Sequence, residues 1–230
     1  ANLFYGTGIP ACILVLDKEN AAARRGIFMI DASKGYLKDG NKNRLREQDI
    51  HRIVDTFTRQ IDTPRYARLV GVDEIADAKN DYNLNLPRYI DSSESEDLHD
   101  IEAHLRGGIP ERDLDAADSK LAPYWRVMPG LRAALFESAG RHGYAQLRLP
   151  LAQVKPAILG HAEFVAFRQG ASQRLADWQA AVMPVLSGYG AGAHPKALIA
   201  ELSESLLAAF RPVPLLDAYD VYQHLMDFWA

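Results

Sequence analysis

The sequence predicts a mixed α/β chain dominated by helices, and three observations carry that reading. Two short apolar runs with almost no polar interruption stand near the N-terminus, Ala11–Leu16 (ACILVL) and Gly26–Ile30 (GIFMI). Beyond about residue 91 apolar residues recur at helical spacing between capping and breaking residues. Over 230 residues, hydrophobic residues make up 48% and charged residues 24%, values that bury a core and exclude general disorder.

The first elements are the two apolar runs. Runs of this kind suit strands buried on both faces, as in the middle of an α/β sheet. The polar stretch Asp17–Arg25 between them is long enough for an antiparallel connection, so a β-hairpin is expected. A two-stranded hairpin this apolar is marginal in water and must add to a larger sheet. Asp31 to Arg46, rich in Gly, Lys and Asn, reads as a loop. From Glu47 to Ile61, residues Ile50, Ile53, Val54, Phe57 and Ile61 fall on one stripe, which predicts an amphipathic helix. A short strand follows near Arg68–Val72, then a short helix with Asp73 as its N-cap. Tyr82–Ile90 reads as extended, because Pro87 disfavours helix at Leu86.

The remainder reads as helical. Ser93 and Glu96 form a capping-box pattern before Leu98, Ile101 and Leu105, and Gly107-Gly108 ends the run. Further helices are expected over 111–121, 131–138, 151–159, 161–183, 195–210 and 216–229. Pro156 threatens to break the 151–159 helix, whereas Pro195 occupies a favoured first-turn position. Gly143–Leu149 alternates and suits a small strand. The division is into residues 1–92, with the β elements, and residues 93–230, a helical module. The chain begins without Met and stops at Trp229-Ala230 inside an amphipathic pattern, so it reads as a fragment.

Composition narrows the function classes. No run of about 18 apolar residues is present, so no membrane partner is expected, and no signal peptide is visible. The single Cys12 leaves no intramolecular disulfide and no multi-Cys zinc site, which fits a cytoplasmic location. A net charge of −4 does not advertise a nucleic-acid binder. Locally, however, Asp17–Arg46 carries an excess of basic residues, and Lys38, Lys42, Arg44 and Arg46 are candidates for DNA phosphate contacts. A solvated loop explains the same residues slightly better. Gly6-Thr7-Gly8 precedes a strand rather than a helix, so it reads as a turn and not a phosphate cradle. The spacing of His99 and His104 does not match a helical zinc pair, and no metal site is expected. Ser138, Ser172 and Ser187 lack a nucleophile elbow. The acids Glu201, Glu204, Asp217 and Asp220 read as helix surface. No catalytic constellation stands within these residues.

Three N-terminal blocks, in order and spacing, resemble one family. They are Leu3-Phe4-Tyr5-Gly6-Thr7-Gly8-Ile9-Pro10 running into Ala11–Leu16, then Phe28-Met29-Ile30-Asp31-Ala32-Ser33, and Asp81-Tyr82-Asn83-Leu84-Asn85-Leu86-Pro87-Arg88-Tyr89. The family is the modification (M) subunit of type I restriction-modification systems, a DNA adenine-N6 methyltransferase. Ala103–Pro110 and Tyr222–Asp227 resemble one branch of it. The resemblance implies that residues 1–92 are the C-terminal part of a Rossmann-like methyltransferase domain, with late strands, a helix and the Asn-Leu-Asn-Leu-Pro-Arg-Tyr segment. It implies S-adenosylmethionine as cofactor, bound by residues upstream of Ala1, and methyl transfer to a flipped adenine. Neither the family's Asn-Pro-Pro-Phe/Tyr motif nor its glycine-rich cofactor turn is in the sequence, so these residues alone are expected to be inactive. The implied partners are double-stranded DNA, the specificity (S) subunit and the restriction (R) subunit, with the C-terminal helices helping to dock the S subunit. Of site residues, the resemblance transfers only a base-stacking aromatic, Phe4 or Tyr5. The alternative reading is a non-enzymatic helical interaction module that docks the specificity subunit.

Overall fold

The structure, a computed structural model, describes residues 2–4, 7–93, 99–190 and 194–229. It divides into two compact units, one of residues 1–96 together with 222–230 and the other of residues 97–221. The expected class, mixed α/β and mainly helical, is what forms.

In the first unit, β1 (Gly26–Ile30) pairs antiparallel with β4 (Ala67–Gly71), placing Ile27 opposite Val70 and Met29 opposite Arg68. The strands approach closely at their end, where Gly26 faces Gly71; a Cβ on Gly26 would stand 2.2 Å from the Val70 carbonyl oxygen. Met29 and Val70 are buried against Ile75 of α2 (Val72–Ala76) and against Tyr89 and Ile90. This small core joins strand, helix and the Asn-Leu-Asn-Leu-Pro-Arg-Tyr segment, in which Leu86–Arg88 forms one 3-10 turn rather than an extended stretch. The helix over Val72–Ala76 starts from Gly71, with Asp73 inside its first turn.

The expected hairpin between Ala11–Leu16 and Gly26–Ile30 does not form. Strand hydrogen bonds require a neighbouring edge, and β1 pairs with the more distant β4. Among the described residues none pairs with Ala11–Leu16, and Ile13 and Leu16 stand 89% and 87% exposed. The segment read as a loop holds a second ribbon, β2 (Leu37–Asp39) with β3 (Lys42–Arg44). Its two-residue turn takes Gly40 at φ +59°, a conformation open to glycine at little cost and typical of tight hairpins.

Helix α1 (Glu47–Arg59) forms as its periodicity predicts. Its start is fixed by a reciprocal cap. The Arg46 backbone N–H donates to Asp49 Oδ2 at 2.9 Å, and the Arg46 guanidinium donates to both oxygens of the same carboxylate at 2.9 Å. The helix turns its polar side inward: Gln48, Asp49, Asp55 and Thr56 are buried, while Ile50, Val54 and Phe57 are exposed. The last turn of α10 (Ala218–Met226) accounts for part of this inversion. Tyr222 stacks on His51 with ring centroids 4.8 Å apart, and the Gln48 N–H donates to Gln223 Oε1 at 3.0 Å.

The second unit begins with α3 (Ile101–Arg106), capped by Asp100 Oδ1, which accepts from the Ala103 N–H at 2.9 Å. The Ser93 and Glu96 capping pair does not start this helix, and Glu96 and Leu98 lie outside the described residues. Gly107 ends it. Then come β5 (Ile109–Pro110), α4 (Glu111–Asp115), α5 (Ala122–Val127), α6 (Pro129–Leu135), β6 (Phe136–Ser138) and β7 (Tyr144–Leu147). The strands make one sheet in the order β5-β7-β6. Two expected helices are thus shorter: 111–121 stops at Asp115, and 131–138 gives way to strand at Phe136. Met128, Leu131 and Leu135 form a core with Trp125, Phe136, Val154, Ile158 and Phe164.

The long helices follow: α7 (Leu151–Gly160), α8 (Ala162–Ser187) and α9 (Pro195–Phe210). α7 runs unbroken through Pro156. α8 and α9 lie antiparallel, with Trp178 Nε1 donating to Ser205 Oγ at 2.9 Å and Arg174 to the Ala209 carbonyl at 3.2 Å. Leu202, Leu206, Leu207 and Phe210 give α9 a buried stripe at helical spacing. Among the described residues, no helix is long and apolar enough to cross a membrane.

Candidate functional site

Two of the three N-terminal sequence blocks converge in space. Met29, from Phe28–Ser33, shares the core with Tyr89, from Asp81–Tyr89. Asp31 closes the junction: its N–H donates to the Tyr66 carbonyl at 2.7 Å, and its Oδ2 accepts from Ser92 Oγ at 2.6 Å. Burial pushes the Asp31 carboxyl up, but hydrogen bonds from Ser92 and Ser33 and the charge of Lys34 outweigh it and hold the group below its ordinary value.

The Asn83–Tyr89 segment is a self-locking turn. The Tyr89 hydroxyl donates to the Asn83 carbonyl at 2.6 Å, so the last residue of the block clasps the first. Asn83 Oδ1 accepts from the Asn85 N–H at 2.9 Å, and Arg88 donates to the Lys79 carbonyl at 2.9 Å. The side chains of Asn83, Arg88 and Tyr89 therefore serve the local conformation, with the tyrosine ring buried at 5% exposure.

Beside this turn lies an open cleft of about 540 Å³, bordered by Asp62, Arg65, Arg68, Tyr89 and Asp91. Arg68 pairs with Glu74 and reaches the Tyr89 carbonyl, while Arg65 donates to the Ser93 carbonyl. Arg65 sits at φ +63°, a left-handed conformation that costs a non-glycine residue about 1 kcal/mol. These two arginines leave no mark in the sequence, being neither periodic nor clustered with other basic residues.

The residues proposed from the sequence are placed as follows. Phe4 is 61% exposed, and Tyr5 lies outside the described residues. Lys38 lies on β2 opposite Asn43, and Lys42 and Arg44 lie on β3 opposite Asp39 and Leu37. Alternation along β3 puts Lys42 and Arg44 on one face of the ribbon, and Lys38 on the other. Arg46 is engaged on Asp49 at the start of α1. The ribbon could have been found from Gly40-Asn41, a two-residue hairpin turn signal between short polar segments.

Elsewhere, His99 and His104 have ring centroids 6.1 Å apart, and no group of His, Cys, Asp and Glu suited to a metal ion occurs among the described residues. Near them the Tyr144 hydroxyl lies 3.1 Å from Asp100 Oδ1, and Arg141 lies over the Tyr144 ring at 3.6 Å. The hydrogen bond from the Ala103 N–H, chiefly, lowers the Asp100 carboxyl.

The strand-to-helix junctions here carry no glycine-rich turn: β4 enters α2 through Gly71 alone, and α2 opens with Asp73 and Glu74. Acidic side chains at that helix start disfavour the cofactor's carboxylate. These residues do not fit the cofactor.

The profile of the family described as N-6 DNA Methylase matches residues 1–98. Among the curated proteins similar over part of the chain are three methylase subunits. The type I restriction enzyme MjaVII methylase subunit of Methanocaldococcus jannaschii is 35% identical over 107 residues, 45% of this chain and 18% of that protein. The MjaVIII methylase subunit of the same organism is 34% identical over 103 residues, 43% of this chain. The MpnII methylase subunit of Mycoplasma pneumoniae is 34% identical over 101 residues, 44% of this chain. In both of these the match again takes in 18% of the relative's length. No solved structure matches.

Proposed function

We propose that this chain is part of a type I restriction-modification methylase subunit that transfers a methyl group to adenine N6 in DNA. What supports the reading is the match of residues 1–98 to the profile described as N-6 DNA Methylase, together with the similarity to relatives named as type I methylase subunits. S-adenosylmethionine is the methyl donor in this proposal, and its binding residues belong to parts of the subunit outside this sequence. The residues here support the fold; they do not perform the transfer.

Phe4 is the proposed stacking face for the flipped base, with Tyr5 beside it in sequence. Lys38, Lys42 and Arg44 are the proposed phosphate contacts on the exposed ribbon. Arg46 is a weaker candidate, because its guanidinium is already paired with Asp49. The specificity subunit, the restriction subunit and double-stranded DNA are the proposed partners, and the cytoplasm the proposed location.

The test is transfer of labelled methyl groups to DNA, by the subunit that contains these residues and by the 230-residue chain alone. The subunit is expected to label adenine N6, and the chain alone neither to transfer label nor to bind the cofactor. Transfer by the chain alone would overturn the assignment of the cofactor site; label on cytosine would overturn the base. Replacing Phe4 by Ala in the subunit should weaken binding of DNA with an extrahelical adenine by about 1–3 kcal/mol, the range for one base on an aromatic ring.

A further inference from the structure

We infer that Asp39-Gly40 is a site of spontaneous covalent modification: in the folded protein at neutral pH it closes to a succinimide and reopens as isoaspartate, which unseats the β2–β3 ribbon. The inference stands apart from the methylase reading, because the reaction needs no partner, cofactor or catalyst. It bears on that reading only through Lys38, Lys42 and Arg44, which the ribbon carries.

Asp39-Gly40 is the only Asp-Gly pair in the sequence, and no Asn-Gly pair occurs. Glycine matters because the attacking atom is the backbone nitrogen that follows the aspartate, and a residue without Cβ leaves its approach least hindered. Gly40 turns at φ +59°, and a Cβ there would meet nothing within 4 Å. Among the described residues, no backbone carbonyl accepts from the Gly40 N–H. The two Asp-Ser pairs differ. The Ser92 N–H donates to the Ile90 carbonyl at 3.1 Å, and the Ser119 N–H to the Ala116 carbonyl at 2.9 Å. The ribbon around Asp39 also opens easily. It has three residue pairs, every residue of β2 is exposed, and a hairpin of two strands is marginal in water. Segments with so few buried contacts open at little free energy, so the strand does not hold Asp39 extended and out of reach of the Gly40 nitrogen.

In the reaction the Gly40 nitrogen attacks Cγ of the Asp39 carboxyl in its acid form. The N–Cγ bond forms, the Cγ–OH bond breaks, and the hydroxyl leaves as water with the amide proton. Water then adds to the main-chain carbonyl carbon of Asp39 and breaks its bond to nitrogen, so the chain continues through Cβ and Cγ. One water is released and one consumed; mass is unchanged, and nothing is oxidised or reduced. The main chain is then one carbon longer, inside a turn whose length fixes the register of its strands. The pairs Lys38–Asn43 and Leu37–Arg44 lose their alignment, and with it the placing of the ribbon's three cations.

The experiment ages the 230-residue chain at neutral pH and physiological temperature, then digests it with a protease that cuts before aspartate but not before isoaspartate. Mass spectrometry of the peptides should show progressive loss of cleavage before residue 39 at unchanged mass, with cleavage before Asp91 and Asp118 retained. Gly40→Val should abolish the loss. Asp39→Asn should reach the same succinimide by expelling ammonia, and so convert to aspartate and isoaspartate with the corresponding gain in mass. Urea below the unfolding transition should leave the rate unchanged, since the ribbon already opens in the folded protein. Cleavage before residue 39 that persists throughout overturns the inference. So does equal loss at all three sites, because the fold would then select nothing, and so does loss that begins only above the unfolding transition. None of these outcomes alters the methylase reading, which methyl transfer tests separately.

Discussion

Tyr89 shows how one side chain can make a sequence block recognisable without making it reactive. Its ring fills the core beside Met29 and Val70, and its hydroxyl closes the turn on Asn83. Tyr89→Phe keeps the ring and deletes one hydrogen bond, so the urea midpoint should fall by the equivalent of about 1 kcal/mol. Tyr89→Ala removes the ring as well and should cost about 3–5 kcal/mol. Asp31 gives a pH prediction. Its folded-state pKa is depressed below 3.8, so its contribution is present above that value and lost as pH falls through the folded pKa. Ser92→Ala removes the side-chain hydrogen bond that most lowers this pKa, and should move the acid unfolding midpoint to higher pH, followed by circular dichroism. None of these partnerships was legible in the sequence, because Asp31 and Ser92 are 61 residues apart and short polar side chains carry no periodic signal. Asp49 was equally hidden, since arginine is not a usual N-cap residue.

At the scale of elements, the helices α1, α7, α8 and α9 follow their sequence patterns to within a few residues, because a 3.6-residue repeat is local information. The strands do not. Apolar content marked both Gly26–Ile30 and Ala11–Leu16, but pairing depends on which edge is available, and that is decided by residues far along the chain. Polar β2 and β3 left no hydrophobic alternation to detect. Elements also depend on distant caps. The first two free amides of α6, Gly130 and Leu131, donate to Glu163 Oε1 and Oε2 at 3.1 and 2.9 Å, a carboxylate supplied by α8. Glu163→Ala should therefore cost about 1–2 kcal/mol in thermal unfolding. At Gly130 a Cβ would stand 2.8 Å from the Glu163 carboxylate, so Gly130→Ala should displace that cap and destabilise despite its better helix propensity. Within α7, Pro156 leaves a carbonyl without its helical donor; Pro156→Ala should raise stability by about 1–3 kcal/mol.

For the whole molecule, the class and the succession from β elements to helices were legible in composition and periodicity. The candidate site was legible only as a family resemblance carried by three blocks, of which the structure brings two together and leaves the first exposed. The aromatic residues of the C-terminal half divide by burial. Phe210 and Tyr222 are 4% and 7% exposed, whereas Phe228 is 88% exposed. Removing residues 222–230 should strip the stacking partner from His51 and the acceptor from the Gln48 amide. Faster hydrogen exchange in the first turns of α1 is the expected readout.

That late-arriving contact has a temporal meaning. Residues 222–230 belong to the unit begun by residues 1–96, so a ribosome making about 5–20 residues per second spends on the order of ten seconds between delivering the two parts. For that interval the side of α1 that carries Gln48 and His51 lacks its partners Gln223 and Tyr222. Slowing translation of the codons for residues 97–221 should prolong the period in which the first turns of α1 exchange freely.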